Sequence, residues 1–419
     1  MKNKGRGFTL VELLAVIVIL AIILVIAVPK ITDTIKNSKI ASFESSAKTI
    51  AAQAEKKKME NEILEDTGSI NCSDVVKLND TDYGNCSISF DGNTAKVSLV
   101  GKGKFEGLKI TNATKDNATA GEIKPPEYGI AVDYINGLFD YNALSNGLKK
   151  DNTSDANIRY EGANPNNYVS FNDELWRIIG VFGDNIKLVR SEPLGELSWD
   201  SSDETINLGY GINEWSQADL KEYLNTKYYG GKSVTCYYLW KNTSIVCPIG
   251  NLNSSAKTMI NNYTWNTGAV EVEKRTDTVA FYNAERGSVN GKVCTSDDRC
   301  NDTVERTTTW QGYVALPYVT DWAYASSTDG CEINMQQQDS KHIYTCKNDN
   351  WMQYTSSMWT LSPYSISNFA YGVWYVDDDA NVFGATAYND FSFFPSVYLN
   401  SNVEITSGSG SSSDPYILK

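Results

Sequence analysis

The sequence predicts an α+β chain in two unlike parts. A long N-terminal helix, transmembrane at its start and amphipathic beyond, packs on a small antiparallel sheet, and a large aromatic-rich mixed α/β domain follows. Three observations carry this. Residues 8–29 hold one charge, Glu12, and apolar residues keep recurring at intervals of three to five as far as Ala54. Residues 86–100 alternate in polarity about Asp91-Gly92-Asn93. All ten tryptophans lie at or beyond Trp176, and 24 of the 25 tyrosines lie at or beyond Tyr128. A length of 419 residues allows two or three domains.

As a helix rising about 1.5 Å per residue, the run 8–29 covers about 33 Å, enough for a hydrocarbon core of about 30 Å. The basic stretch Met1-Lys-Asn-Lys-Gly-Arg-Gly7 precedes it, and no A-x-A-like cleavage site follows Ala27. A cut before the apolar run is the alternative to a plain signal anchor. Gly7-Phe8-Thr9-Leu10-Val11-Glu12 resembles the prepilin processing site of type IV pilins and type II secretion pseudopilins. The resemblance implies that a prepilin peptidase cleaves after Gly7 and that Phe8 becomes the methylated amino terminus. It further implies that Glu12 pairs with the terminal ammonium of a neighbouring subunit, and that Pro29 kinks the helix. A carboxylate near the end of an apolar helix costs about 2.5–3.5 kcal/mol at a bilayer centre and less near the interface, so a partner for Glu12 is expected. The resemblance also implies a pilin-like fold for the first part.

The elements follow in order. Residues 1–7 are a leader peptide, and 8–29 are the transmembrane part of the helix. Residues 30–111 hold the remaining helix and the sheet. Ile31, Ile35, Ile40, Phe43, Ala47, Ile50 and Ala54 form one stripe, and Thr67-Gly68-Ser69 stops the helix. Cys86–Phe90 and Ala95–Val100 read as a hairpin, with a third strand from Phe105 to Ile110. Residues 112–127, polar and ending in Pro125-Pro126, read as a linker.

Residues 128–419 read as the aromatic-rich, disulfide-containing surface domain. Leu175–Phe182 and Ile186–Arg190 flank Gly183-Asp184-Asn185 as a second hairpin. Ser216 to Tyr229 reads as a helix capped by Ser216. Short strands are expected at 313–316, 358–361, 371–376, 380–385 and 397–405. Trp359-Thr-Leu-Ser-Pro363, Gly372-Val-Trp-Tyr-Val376, Asn381-Val-Phe-Gly384 and Phe394-Pro-Ser-Val-Tyr398 resemble the end of the C-type-lectin-like fold of formylglycine-generating-enzyme-type surface domains.

The formal charge of −14 becomes −17 when Lys2, Lys4 and Arg6 leave with the leader, a surface that repels nucleic acid, so no nucleic-acid partner is expected. The eight cysteines fall in close neighbours: Cys72 and Cys86, Cys236 and Cys247, Cys294 and Cys300, Cys331 and Cys346. Four local disulfides in that order are expected, and with them an oxidising, extracytoplasmic location.

His342 is the only histidine, which leaves no Ser-His-Asp, Cys-His or multi-histidine metal site unless that residue serves. Paired carboxylates could hydrolyse a glycoside, yet nothing singles out a pair. The chain is therefore expected not to be an enzyme and to need no cofactor, with calcium as the open case at Asp377, Asp378 and Asp379 beside Asn381, or at Asp297, Asp298 and Asp302. Trp351, Trp359, Trp374 and Tyr375 are candidates for a ligand-stacking platform.

Together these readings describe a pilin-like subunit, a minor one, of a bacterial type IV pilus or related filament. It would sit in the membrane as a single pass before assembly and then on the cell surface, displaying its large domain for adhesion. Its partners would be other pilin subunits, the prepilin peptidase and a surface ligand, glycan or protein. A type II secretion pseudopilin, a displayed carbohydrate-active enzyme and a tethered protein that never polymerises are the competing readings.

Overall fold

The structure is a computed structural model that describes residues 10–64, 70–77, 82–142, 147–201, 210–239, 244–287, 307–328, 346–365 and 371–419; along 10–29 it describes the helix backbone and the Leu14 side chain. The chain forms two compact units, Met1–Pro125 and Pro126–Lys419.

In the first unit, helix α1 (Leu10–Leu64) runs without interruption. A short helix α2 (Cys72–Val75) leads into a sheet of four antiparallel strands in the order β1 (Tyr83–Asp91), β2 (Thr94–Gly101), β3 (Leu108–Ala113) and β4 (Gly121–Glu122). Phe43, Ala47, Ile50, Ala51 and Ala54 recur with helical spacing and are buried against Ala95, Val97 and Leu99, which alternate along β2. Asp91 pairs with Thr94, so Gly92 and Asn93 make the two-residue turn, with Gly92 at a φ of +58° that favours glycine. The stripe divides at its middle: Ile31 and Ile35 are 57% and 53% exposed, whereas Phe43 onward is buried. The segment expected to stop the helix, 67–69, lies outside the described residues.

The expected linker 112–127 needs correction. Asn112 and Ala113 end β3, Gly121–Glu122 pair with Leu108 and Lys109, Ala118 is buried, and the Ala120 N–H donates to Glu44 at 2.9 Å. Its polar composition hid a chain whose backbone groups are satisfied by the sheet and by a helix carboxylate.

The second unit contains two large sheets. One runs Ser396–Tyr398, Asn185–Arg190, Glu174–Phe182, Tyr168–Phe171, Tyr416–Leu418, Glu404–Ser407, Gly129–Ile130, with Leu148–Lys150 and Ile158–Tyr160 joined at Glu174–Phe182. The other runs Gly195–Ser198, Asp390–Phe393, Met358–Ser365, Gly372–Val376, Val382–Thr386, with Val270–Glu271 parallel to Met358–Ser365. Most of the string 359–398 that resembles a lectin-like fold lies in this second sheet and in Ser396–Tyr398.

The expected hairpin at 175–190 is present, and its strands are buried almost throughout, as in a sheet covered on both faces. Its register shifts between Lys187, which faces Gly180, and Leu188, which faces Ile178, a bulge whose extra residue is Ile179; the Lys187 side chain beside it is fully buried. Gly180 is required there, because a Cβ would stand 2.2 Å from the Ile158 carbonyl oxygen.

The helix expected from Ser216 begins instead as a 3-10 turn, Trp215–Gln217, whose cap is Glu214, and continues through Asp219–Glu222 into a π-helical stretch, Tyr223–Tyr229. The strand expected at 313–316 falls at Thr309–Gly312, with Ala315 bridging Ser396.

Candidate functional site

Of the processing and assembly residues, Gly7 and Phe8 lie outside the described residues. Glu12 and Pro29 lie on the described backbone of α1, with side chains outside the description.

Disulfides join Cys72 to Cys86 and Cys236 to Cys247. Cys346 is also disulfide-bonded, while Cys294, Cys300 and Cys331 lie outside the described residues.

The aromatic platform is a misreading that the structure corrects. Trp351, Trp359 and Trp374 are buried, and each indole N–H donates to a backbone carbonyl, of Tyr160 at 2.7 Å, Leu197 at 3.0 Å and Val270 at 3.0 Å. Half-buried Tyr375 stacks on Phe391 with centroids 4.4 Å apart. These residues are core, and nothing in their local sequence distinguished a satisfied indole from a displayed one.

The calcium candidates Asp377–Asp379 lie in a turn after Gly372–Val376. The Asp377 carboxylate accepts from the Asp379 and Asn381 backbone N–H groups and from Asn381 Nδ2, which closes a turn on itself, and Asp379 pairs with Lys347 at 2.9 Å. Among the described residues no group of three or more His, Cys, Asp or Glu converges to hold a metal ion. Asp297, Asp298, Asp302 and His342 lie outside them.

Among the described residues the second unit holds a cleft of about 810 Å³ that sequence reasoning missed. It gathers Ser154, Asp155 and Asn157 from the loop before Ile158–Tyr160, the hairpin turn 182–185, Tyr263 and Asn266, and Tyr282, Asn283 and Arg286 from the end of helix Thr278–Glu285. Segments more than a hundred residues apart build it, so no local motif announces it.

Its groups are held in place. Tyr282 Oη donates to Asp155 Oδ2 at 2.6 Å and accepts from Asn157 Nδ2 at 3.0 Å. The Arg286 guanidinium lies 3.4 Å from the centre of the Tyr282 ring and 3.9 Å from Asp155. Burial pushes the Tyr282 hydroxyl up to about 12, against the pull of Arg286, so it remains a neutral donor. Tyr263 stacks on Tyr398 at 3.7 Å.

Beneath the cleft lies a buried ionic cluster. Arg159 Nε donates to Asp151 at 2.7 Å and Nη1 to Asp321 at 2.9 Å, and Lys187 Nζ donates to the other Asp321 oxygen at 2.5 Å. Burial opposes the Arg159 charge, but its two aspartates outweigh that and raise its pKa. Glu285 accepts from Thr320 Oγ1 and Ser362 Oγ, and burial raises its pKa. This cluster fixes the floor from which Phe182, Asn157 and Tyr282 reach the cleft.

Among the residues whose side chains are described, no helix is long and apolar enough to cross a membrane; the run 8–29 lies almost wholly outside them. No curated protein and no solved structure matches this chain. Residues 2–28 match the family model of the prokaryotic N-terminal methylation motif, and on that match the chain carries the amino-terminal signature of the type IV pilins and pseudopilins.

Proposed function

We propose that this protein is a minor pilin-like subunit of a bacterial type IV pilus or related filament, and that its second unit is a non-catalytic recognition domain displayed on the filament. The observation that carries the reading is the methylation motif over residues 2–28. In this reading the peptidase cuts after Gly7, Phe8 is methylated, Glu12 pairs with a neighbouring subunit, and the apolar run leaves the bilayer for the filament core. The exposed Ile31 and Ile35 continue that assembling face beyond the run.

Recognition falls to the cleft of the second unit. Amides and carboxylates of Asp155, Asn157 and Asn266 beside tyrosine rings suit the hydroxyls and the apolar faces of a glycan, with the polar groups fixing orientation. A lectin-like fold for the second unit, on the resemblance of residues 359–398, belongs to the same reading.

Two measurements test it. Antibody against the second unit should label sheared filaments; a chain that stays entirely in the membrane fraction after shearing would remove the filament role and leave a tethered or secretion-type protein. Glycan-array binding by the full chain should fall when Asn266 is replaced by Ala, and unchanged binding would remove the cleft from the account.

A further inference from the structure

We propose that Lys187 and Asp321 become joined by an intramolecular isopeptide bond. Lys187 Nζ stands 2.5 Å from Asp321 Oδ2, and both side chains are fully buried. The amine is walled by rings, with Tyr318 at 4.1 Å, Trp265 and Tyr398 each at 5.2 Å, and Phe182 at 5.6 Å. The strand Asn185–Arg190 delivers the lysine, and a short helix, Val319–Ala323, delivers the aspartate from 134 residues away. Such fixed placement supplies the proximity that a condensation in water lacks.

The carboxyl group is oriented as well as near. Arg159 Nη1 donates to Oδ1 at 2.9 Å, and the Tyr318 backbone N–H donates to Oδ2 at 2.9 Å. The step balances without a co-reactant. The ammonium passes one proton to Oδ2, giving a neutral amine and a carboxylic acid. The Nζ lone pair attacks Cγ, and the negative oxygen of the tetrahedral intermediate is Oδ1, held by Arg159. The C–Oδ2 bond then breaks, and that oxygen leaves as water with the second amine proton. One C–N bond replaces one C–O bond, and nothing is oxidised or reduced.

The surroundings reduce the cost of reaching the neutral pair that must react. Taking two charges into an apolar enclosure is costly, and proton transfer relieves that cost. Burial outweighs the pull of Asp321 and brings the Lys187 amine down to about 8, with Arg286 and Arg159 adding to the effect. Burial alone would raise Asp321, but Lys187 and Arg159 hold it below the usual carboxylate range, so the resting pair is ionic and proton transfer comes first. Glu285 and Asp151 complete the charged groups of the cluster.

Mass spectrometry of the folded full-length chain, purified in detergent, then reduced, alkylated and digested with trypsin, tests the proposal. The expected result is a mass lower than the sequence requires by one water, with Lys187 found uncleaved in a branched peptide that contains Asp321. A linear peptide cleaved at Lys187, or a missing water located elsewhere, overturns it. Lys187→Met should restore the full sequence mass, and persistence of the deficit in that variant also overturns it. Should that variant fail to fold, the wild-type peptide map decides alone.

Discussion

The division of the α1 stripe at its middle is open to a direct test. Phe43 is fully buried and meets Tyr83 at 6.2 Å and Phe105 at 5.2 Å between ring centroids. Truncating it to Ala removes a buried ring and leaves a cavity among these rings. Burial of such a ring is worth about 1.5–3 kcal/mol, and with the cavity term Phe→Ala costs about 3–5 kcal/mol. Ile35 sits instead on the wall of a 380 Å³ groove, between Lys36, Lys39 and Lys104. Half of it already faces water, so Ile35→Ala should cost no more than about 0.5 kcal/mol.

Hydrogen exchange measured on peptides from β2 and β3 reads the difference. Phe43→Ala, at about 3–5 kcal/mol, should speed exchange there by about a hundredfold to a few thousandfold, since every 1.4 kcal/mol is tenfold, and Ile35→Ala should leave it near wild type. Recovery of the chain in sheared filaments should show the opposite order, with Ile31→Asp or Ile35→Asp abolishing it in a normally folded protein. Equal exchange in Phe43→Ala and wild type would refute the placement of the sheet on this face. Loss of protection in Ile35→Asp matching that of Phe43→Ala would refute the division of the stripe.

Other outcomes follow from named contacts. Gly7→Val should leave the leader attached, so that the chain gains the mass of residues 1–7 over the mature wild type; an unchanged mature mass would show that processing does not occur at Gly7. Asp151 is buried, which opposes its charge, but Arg159 and the donors of Thr153 and Asn157 outweigh burial and hold its carboxyl below the usual range. Its contribution is thus complete above the unfolded pKa of about 3.9 and lost as pH falls through the lower folded value. Asp151→Asn should cost about 3–5 kcal/mol at neutral pH and flatten the acid limb of a melting-temperature profile, and an unaltered limb would count against this carboxylate. Tyr282→Phe, which removes the buried hydroxyl between Asp155 and the buried Asn157, should cost about 1–3 kcal/mol of stability and weaken glycan binding severalfold, and an unchanged melting temperature would count against this bridge.

How much of this was legible in the sequence depends on how local each signal is. The hairpin turns at Gly92-Asn93 and Gly183-Asp184 were readable because a two-residue turn states its needs within a few positions. The disulfide pairs within the described residues were readable because their partners are 14 and 11 residues apart. The helix stripe was readable as a recurrence, but intervals of three to five residues do not hold one face: at 3.6 residues per turn Ile31 lies about 120° around the helix from Phe43, and only the face of Phe43 meets the sheet. The tryptophans misled for a related reason: an indole declares a need for burial and for one acceptor, and Trp359 finds its acceptor at Leu197, 162 residues away. The cleft was invisible because Asp155 and Tyr282 meet only once the whole unit has folded.

That contrast bears on what holds the second unit together. A disulfide closing about 15 residues constrains only its own loop, worth about 3 kcal/mol in the chain-entropy account. Cys236–Cys247 is of that kind and ties no distant elements. The long connections pass instead through polar groups buried in the interior. Asp321 meets Arg159 across 162 residues and Lys187 across 134, and Ser396 donates to the Leu188 carbonyl across 208. Removing one partner of such a cluster strands a charge where water cannot reach it, so its geometry is enforced more strictly than that of an apolar contact, which can repack. Asn157 joins this cluster to the cleft, because one side-chain amide donates both to Asp151 below and to Tyr282 above. The groups offered to a ligand are therefore fixed by the same charges that close the fold, and a domain built this way keeps its binding surface ordered for as long as it stays folded.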